Sequence, residues 1–405
     1  MPGASKPTTR FLDTDLGLWL AGAAAVTSLI SIVASEILIA AAILASFRKS
    51  PKGLPVWPLG LWFALTIVPA LLLGFGRSGF PQIKKLYWFA MLAAMAMGFR
   101  AASKFSGLLY GWVAAASLSS AWSLIQFIRK YRAAAALHQD FYTAYVADRI
   151  TGLMGHWMTF SGQMMMVLIL AVAFVLFSDD KRARVWVAAG GAIAGLGLLL
   201  AETRSMWGGA ALGLLYLAWM WKRWSIVLIP VLAAAILIIN PIGIRERAIS
   251  ILQPHGETDS NAHRRVTRRI GWEIIKQHPW FGVGLEQVGP RHLEFVPADI
   301  PLPLPEGYYG HLHNIYVHYA AERGVPAALA LLWFLLDGLI KFARAARRPS
   351  PDRWLFHGAV GVLLAVMFGG YFEVNLGDSE VLALFLSVVG AAYAARYTQE
   401  QGVSS

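Results

Sequence analysis

The sequence predicts an all-α polytopic membrane protein with about twelve transmembrane helices. Of its 405 residues, 57% are hydrophobic and only 14% are charged, a composition that soluble globular domains do not have. The apolar residues also fall into long runs, and a helix of about 20 such residues crosses the roughly 30 Å of hydrocarbon in a bilayer. The chain contains no cysteine, which excludes disulfides and thiolate-bound metals.

Short polar connections separate most of the apolar segments. The first two are divided only by Thr27, Ser28 and Ser31, so the boundary between them is the least distinct. The predicted spans cover residues 16–30, 32–47, 57–75, 83–99, 105–128, 157–177, 185–201, 206–221, 224–240, 314–342, 355–371 and 380–397. No repeat of fixed period relates them, and we expect one transmembrane domain over residues 1–405.

Basic residues are distributed unevenly between the two sides of this predicted bundle. The net charge is +12, and clusters follow even-numbered spans at residues 47–52, 99–104, 179–184, 221–224 and 341–348. Because cytoplasmic loops carry an excess of Lys and Arg, this pattern places both termini in the cytoplasm. The cluster at residues 129–132 falls on the opposite side and does not fit the rule.

One connection is much longer than the others, namely residues 241–312 between spans nine and ten. On this topology it faces outward, and we expect it to cap the bundle. It contains a predicted helix with Ser260 or Asn261 as its N-cap and an end at His278, before Pro279. A proline-rich stretch follows and is predicted to be extended.

Polar and ionisable residues collect at the outward ends of the predicted spans. Spans seven, ten and eleven contribute Glu202, Arg204, His311, His313, Asn314, Glu373, Asn375 and Asp378. On the loop helix, Arg265, Arg268 and Trp272 share one face. An ionisable group at hydrocarbon depth costs about 2.5 to 3.5 kcal/mol, so these groups either reach the interface or face a polar cavity. The convergence of four segments on one side favours a common site.

The residue types at this predicted site suit the binding of an anion and the removal of a proton. Arg204, Arg265 and Arg268 would bind a phosphate or pyrophosphate, because guanidinium groups match those oxygens in bidentate fashion. The first turn of span ten would direct backbone N–H groups at the same anion. Neighbouring positive charges favour a neutral imidazole, so we expect His313 to act as a base. His311 is also consistent with a side chain that reaches the interface.

Two other site classes have weak support. The "HLH" at residues 311–313 brings two imidazoles together, but no HExxH motif or carboxylate cluster at ligand spacing accompanies it. The "GVG" at residues 282–284 lacks the preceding strand and the following GK[ST] of a nucleotide-binding loop. We therefore expect neither a functional metal nor a nucleotide cofactor.

Four stretches in order resemble the O-antigen ligase and polymerase superfamily of bacterial envelope enzymes, and the ligases in particular. They are "TRSMWGG", "RRIGWEIIKQHPWFGVG", "HNIYVHYAAERG" and an acidic "E-x-N" end after span eleven. The ligase pattern of His, then Asn, Ser or Gln, then nine residues and a glycine is met by His313, Asn314 and Gly324. Ala327 stands where the family tends to have glycine, and the first 150 residues or so carry no motif.

This resemblance implies a bacterial inner-membrane glycosyltransferase with a GT-C-like helical fold and a periplasmic active site. It would transfer a polysaccharide from undecaprenyl pyrophosphate to a sugar hydroxyl of the lipid A-core. The reaction would need neither a metal nor another cofactor, and no nucleic acid would take part. Both lipid-linked substrates would enter from the surrounding membrane lipids.

The resemblance also implies roles for individual residues. Arg204 and Arg265, with Arg268 as a helper, would hold the pyrophosphate and stabilise the leaving group. His313 would take the proton from the attacking hydroxyl, which predicts inversion at the anomeric carbon. The further predicted substrate contacts are His311, Asn314, Glu373 and Trp272.

Several alternatives remain open at this point. A polymerase or a protein O-oligosaccharyltransferase of the same superfamily would use the same donor, although the single long loop and the His-Asn spacing favour the ligase. A transporter or lipid flippase predicts ionisable residues near the bilayer midplane and symmetric halves, which the sequence lacks. The loop arginine that contacts phosphate is also open among Arg264, Arg265, Arg268 and Arg269.

Overall fold

The computed structural model describes residues 10–74, 77–99, 105–240, 244–250, 261–304, 308 and 310–401. Over these residues the chain is helical and contains no strand, which confirms the predicted all-α class. Its helices are α1 Arg10–Thr27, α2 Ile32–Ser46, α3 Val56–Leu72, α4 Phe80–Lys85, α5 Ala90–Gly98, α6 Ser106–Ala136, α7 Phe141–Ala147, α8 Trp157–Phe177, α9 Lys181–Leu200, α10 Arg204–Trp221, α11 Leu228–Ile239, α12 Ile244–Ile249, α13 Asn261–Gln277, α14 Ile315–Arg323, α15 Val325–Ala345, α16 Arg353–Gly370 and α17 Ser379–Glu400.

Six helices of the described residues are long and apolar enough to cross a membrane, namely α6, α8, α9, α15, α16 and α17. Shorter apolar helices lie at Leu16–Thr27, Ile32–Ser46, Val56–Leu72 and Arg223–Ile239. Every predicted span coincides with one or more helices. The fold is therefore that of a polytopic membrane protein, and the total of about twelve crossings stays a prediction.

Helix α6 is longer than the span predicted for it. Its 31 residues extend roughly 46 Å at a rise of 1.5 Å per residue, which exceeds the roughly 30 Å of hydrocarbon. The basic cluster at residues 129–132 lies on this helix, beyond the predicted end of the span. The exception to the charge rule is thus a helical extension and not a loop. The basic residues of 100–104 and the predicted cap Ser260 lie outside the described residues.

Helices α10 and α16 pack closely because both present glycines at their contact. A Cβ atom on Gly213 would lie 2.9 Å from the carbonyl oxygen of Gly361, and one on Gly209 would lie 2.8 Å from that of Ala365. Small residues let helix backbones approach each other in this way inside a membrane. The packing places the start of α10 beside the end of α16, where several of the predicted site residues lie.

The predicted span 314–342 is broken into two helices, α14 and α15. Gly324 separates them with a φ of +89°, a conformation that favours glycine. The break coincides with backbone pairing to a loop segment: Val283 N donates to Ala321 O at 2.9 Å, Gly284 N to Glu322 O at 3.1 Å, and Val325 N to Pro279 O at 2.8 Å. These bonds satisfy backbone groups that a continuous helix would use internally.

Residues 261–304 pack against α14 around their own hydrophobic cluster. Ile270 and Ile274 on α13 are both 0% exposed, and they join Leu312 and Val317 in this cluster. Helix α13 runs over Asn261–Gln277, which confirms the helix predicted in the long loop. Its apolar face binds α14, so its arginines are directed to the sides of that contact.

The junction at Gly324 yields a stability prediction. A Cβ atom there would overlap the Trp280 carbonyl group, and alanine would also have to adopt the positive φ. We expect Gly324→Ala to cost more than about 3 kcal/mol of unfolding free energy and to lower the thermal midpoint by several degrees. Tryptophan fluorescence of the detergent-solubilised protein during heating measures this midpoint.

Gly310→Ala is the matched control, because a Cβ atom at Gly310 meets no other atom within 4 Å. Its thermal midpoint should equal that of the wild type. Equal midpoints for both variants would show that the close approach at Gly324 does not contribute to stability.

Candidate active site

The centre of the candidate site is the carboxylate of Glu373, which is shared by two partners. Glu373 follows α16 and is only 4% exposed. Its Oε2 lies 2.9 Å from His313 Nδ1, and its Oε1 accepts a hydrogen bond from the Arg264 guanidinium. Burial alone would raise the pKa of Glu373, but the hydrogen bond with His313 and the charge of Arg264 outweigh it and lower the pKa. The carboxylate is therefore ionised at neutral pH.

The position of His313 is set by the residue that follows it. Asn314 is the N-cap of α14: its side chain accepts from Val317 N at 3.0 Å and donates to Tyr371 O at 2.9 Å. With an exposure of 2%, Asn314 joins α14 to the segment after α16. His313 itself has a φ of +46°. Non-glycine residues rarely adopt a positive φ, and those that do are concentrated at functional sites.

The hydrogen bond to Glu373 also determines which nitrogen of His313 is reactive. A neutral imidazole that donates from Nδ1 to a carboxylate keeps its lone pair on Nε2. Nε2 can then accept a proton, and the carboxylate stabilises the imidazolium that results. This is the arrangement of a general base with an acidic partner.

Two further histidines surround His313. The His263 ring stacks on Tyr308 with centroids 4.1 Å apart and meets the edge of His313 at 4.5 Å. Burial and the positive charge of its neighbours lower the pKa of His263 to about 4, and its Nε2 is buried without a hydrogen-bond partner. The His311 ring lies 6.4 Å from that of His313, and partial desolvation together with the proximity of His313 lowers its pKa as well. Both rings are neutral at pH 7.

Among the arginines of α13, Arg264 is the one that reaches the His313–Glu373 pair. It also donates from Nε to the Phe372 carbonyl at 3.2 Å. Arg268 lies over the Tyr371 ring at 4.5 Å and donates to Tyr371 O at 3.2 Å. Arg269 pairs with Asp299 at 2.7 Å. The helix is thus oriented with Arg264 inward.

Two of the predicted contacts on α13 are open to solvent. Arg265 is exposed and has no hydrogen bond or ion pair with another described residue. Trp272 is 52% exposed. Neither side chain contacts the His313–Glu373 pair in this structure.

A second group of basic side chains, the arginine cluster of Arg149, Arg204 and Arg247, gathers at the turn between α9 and α10. The backbone carbonyl of Glu202 in this turn accepts from Arg149 at 3.1 Å and from Arg247 at 3.1 Å. Arg204, the first residue of α10, donates to Ser250 Oγ at 2.8 Å and to Asn261 Oδ1 at 3.2 Å. Three separate segments therefore bring guanidinium groups to one turn.

Two members of the arginine cluster, Arg149 and Arg247, are absent from the residues predicted from the sequence. Both are buried, and Arg149 lies over the Trp157 ring at 4.5 Å. Burial, together with the charge of Arg247, lowers the pKa of Arg149 to about 9. Two buried arginines side by side repel each other, and an anion bound between them would offset this repulsion.

No group of three or more His, Asp or Glu side chains is arranged to hold a metal ion within the part of the chain that the structure describes. The side chains that meet at this candidate site are a histidine with its carboxylate partner and guanidinium groups of a kind that binds anions.

Residues 189–332 match the Wzy_C family model, which is described as O-antigen ligase. No curated protein matches the chain. The matched segment carries Arg204, Arg264 and His313, whereas Arg149 and Glu373 lie outside it, in the connections before α8 and after α16. The segment that carries these central motif residues is therefore similar to the O-antigen ligase family.

Proposed function

We propose that this protein is an O-antigen ligase of the bacterial inner membrane. It transfers a polysaccharide from undecaprenyl pyrophosphate to a sugar hydroxyl of the lipid A-core, as the last step of lipopolysaccharide assembly. The observation that carries the proposal is the buried His313–Glu373 pair, 2.9 Å apart, at the end of the bundle where Arg204 starts α10. The distribution of basic loops supports a periplasmic site, with residues 241–312 as its cap.

The first chemical role belongs to His313. Its Nε2 removes the proton from the acceptor hydroxyl as the hydroxyl oxygen forms a bond to the anomeric carbon of the donor sugar. Glu373 stabilises the imidazolium that results, and Arg264 keeps Glu373 ionised. A positioned base of this kind contributes about 10²- to 10⁴-fold in rate.

The second role belongs to the arginines. As the bond from the anomeric carbon to the pyrophosphate oxygen breaks, the leaving diphosphate takes the electron pair and gains negative charge. Guanidinium groups stabilise such charge through bidentate hydrogen bonds. The arginine cluster supplies buried groups for this purpose, and Arg265 and Arg268 remain proposed phosphate ligands from α13. The reaction then inverts the anomeric carbon.

Because diphosphate is already a good leaving group, we expect transfer to proceed without a nucleotide and in the presence of EDTA. The test is a reconstitution of the purified protein with undecaprenyl-pyrophosphate-linked polysaccharide and lipid A-core. His313→Ala and Arg204→Ala should each lower the transfer rate at least about 100-fold, since one removes the base and the other an anion-binding group. Arg291→Ala is the control, because the ion pair of Arg291 is with the exposed Glu294, away from both groups of site residues.

Each other outcome of this assay assigns a different function. Glycan that grows on the carrier would identify a polymerase, and transfer to a protein hydroxyl would identify a protein O-oligosaccharyltransferase. Binding of the carrier without any transfer would contradict catalysis and favour a transporter.

A second prediction concerns the partner of the base. Glu373→Gln keeps the shape of the side chain but removes the charge that stabilises the imidazolium, so kcat should fall about 10²- to 10⁴-fold with little change in either KM. Initial rates at varied donor and acceptor concentrations measure this. Glu373→Asp should recover part of the activity. A Glu373→Gln variant with wild-type kcat would show that Glu373 has no part in the proton transfer.

A third prediction concerns Glu202 beside the arginine cluster. The Glu202 side chain is 1% exposed, and its buried Oε2 has no hydrogen-bond partner among the residues that the structure describes. Burial raises its pKa from 4.5 to about 7, against the opposing charges of Arg247 and Arg149. A neutral Glu202 leaves the charge of the arginines available to the pyrophosphate. Because the folded state holds this proton more tightly than the unfolded state, Glu202 makes stability fall as pH rises from about 4.5 to 7.

Glu202→Gln removes this dependence. The thermal midpoint of the variant, relative to the wild type, should therefore rise between pH 5 and pH 8 in detergent solution. A difference that stays constant over this range, or that shrinks, would contradict a neutral Glu202.

A further inference from the structure

A cavity of about 290 Å³ lies next to Glu373 and has no role in the steps above. Its polar lining includes Lys85, His156, His311, His318, Glu373 and Asp378. These residues come from α4, the start of α8, the segment before α14, α14 itself and the turns between α16 and α17. The volume equals that of about ten liquid water molecules, which is room for one sugar ring.

The cavity offers hydrogen-bond acceptors and donors that have no partner in the described residues. Asp378 Oδ2 accepts from Thr159 Oγ1 at 2.9 Å, while its Oδ1 accepts from none of them. His156 Nδ1 accepts from Met158 N at 3.2 Å, so a neutral His156 carries its proton on Nε2 as a donor. His318 is 7% exposed and its Nδ1 is buried without a partner.

This combination fits a ligand that carries several hydroxyl groups. A hydroxyl both donates and accepts, so it can satisfy a carboxylate and an imidazole together. The remaining lining includes Tyr319, Met158 and Met206, which suit the apolar C–H face of a sugar ring. An unsatisfied buried polar atom is costly, so a bound sugar would stabilise these groups as well.

The position of the cavity distinguishes the acceptor sugar from the donor. None of the residues that line it is an arginine, whereas the donor pyrophosphate is assigned to the arginine cluster. In an inverting displacement the attacking oxygen and the leaving group are on opposite sides of the anomeric carbon. The acceptor hydroxyl must also lie near the base that takes its proton, and the cavity borders Glu373, the partner of that base.

We infer that this cavity binds the acceptor sugar, with Asp378 and His156 orienting the hydroxyl that attacks beside the His313–Glu373 pair. The inference rests on the proposed function and names specificity-determining residues for it. Lys85, at the edge of the same cavity, would favour an acceptor sugar that carries an anionic substituent.

The test separates the two substrates kinetically. Initial rates are measured against lipid A-core at saturating donor, and against donor at saturating lipid A-core. Asp378→Asn should raise the acceptor KM about tenfold or more, because it weakens a hydrogen bond to a charged group, and should leave the donor KM within about twofold. Glu380→Gln, two residues away and outside the cavity lining, should match the wild type.

A purely structural role for Asp378 predicts something different. Thr159→Val removes the same Thr159–Asp378 hydrogen bond but keeps the carboxylate. If Asp378 only joined α17 to α8, Thr159→Val would raise the acceptor KM as much as Asp378→Asn. We expect it to raise that KM less than about threefold, so equal effects would overturn the inference.

A binding measurement keeps this inference separate from the proposed reaction. Radiolabelled lipid A-core is titrated onto the inactive His313→Ala protein in nanodiscs, with and without Asp378→Asn. Weaker binding to the double variant supports the cavity, even if the wild type proves to extend carrier-linked glycan instead. Wild-type transfer with equal binding to both proteins would overturn the cavity assignment and leave the proposed function standing.

Discussion

The site depends on a single buried carboxylate that is shared by a histidine and an arginine. Glu373 follows α16, His313 precedes α14, and Arg264 belongs to α13, so this one group joins three segments that are far apart in sequence. A buried charge that loses its partner costs about 3–5 kcal/mol, so these segments are stable only when they meet. The packing of α13 on α14 and the close contact of α10 with α16 both help to bring these segments together.

The candidate site has two parts with different electrostatics, the histidines around His313 and the arginines at the α9–α10 turn. Around His313, partial desolvation lowers the pKa of the neighbouring imidazoles His263 and His311, so they add little positive charge beside His313 at neutral pH. At the α9–α10 turn, by contrast, Arg149 and Arg247 both donate hydrogen bonds to the backbone carbonyl of Glu202. One half of the site is therefore suited to handle a proton and the other to bind an anion.

The positions of most helices could be predicted from the sequence, because they depend on local patterns of residues. Apolar runs of the right length predict helices, and each predicted span coincides with helical residues. The limits of α13 followed from a capping residue and a proline. Asparagine before an apolar helix is a strong N-cap signal, so the cap role of Asn314 was also predictable. The ligase pattern instead predicted that Asn314 contacts the substrate.

The parts that could not be predicted are those that arise between segments. Nothing near Arg149 or Arg247 in the sequence indicates that both reach the Glu202 carbonyl. Which arginine of α13 points inward depends on helix rotation, which is set by apolar packing on α14. The break at Gly324 was not predicted, although Gly324 and Pro326 are recognised signals for a helix end and a helix start; the backbone pairing of this break with residues 279–284 has no such signal.

That interruption also has a mechanical consequence. Residues 321–325 are hydrogen-bonded to residues 279–284, so the end of α14 and the first residue of α15 are both attached to the folded long loop. His313 lies two residues before α14, so the attachment of α14 to the long loop also helps to position this side chain.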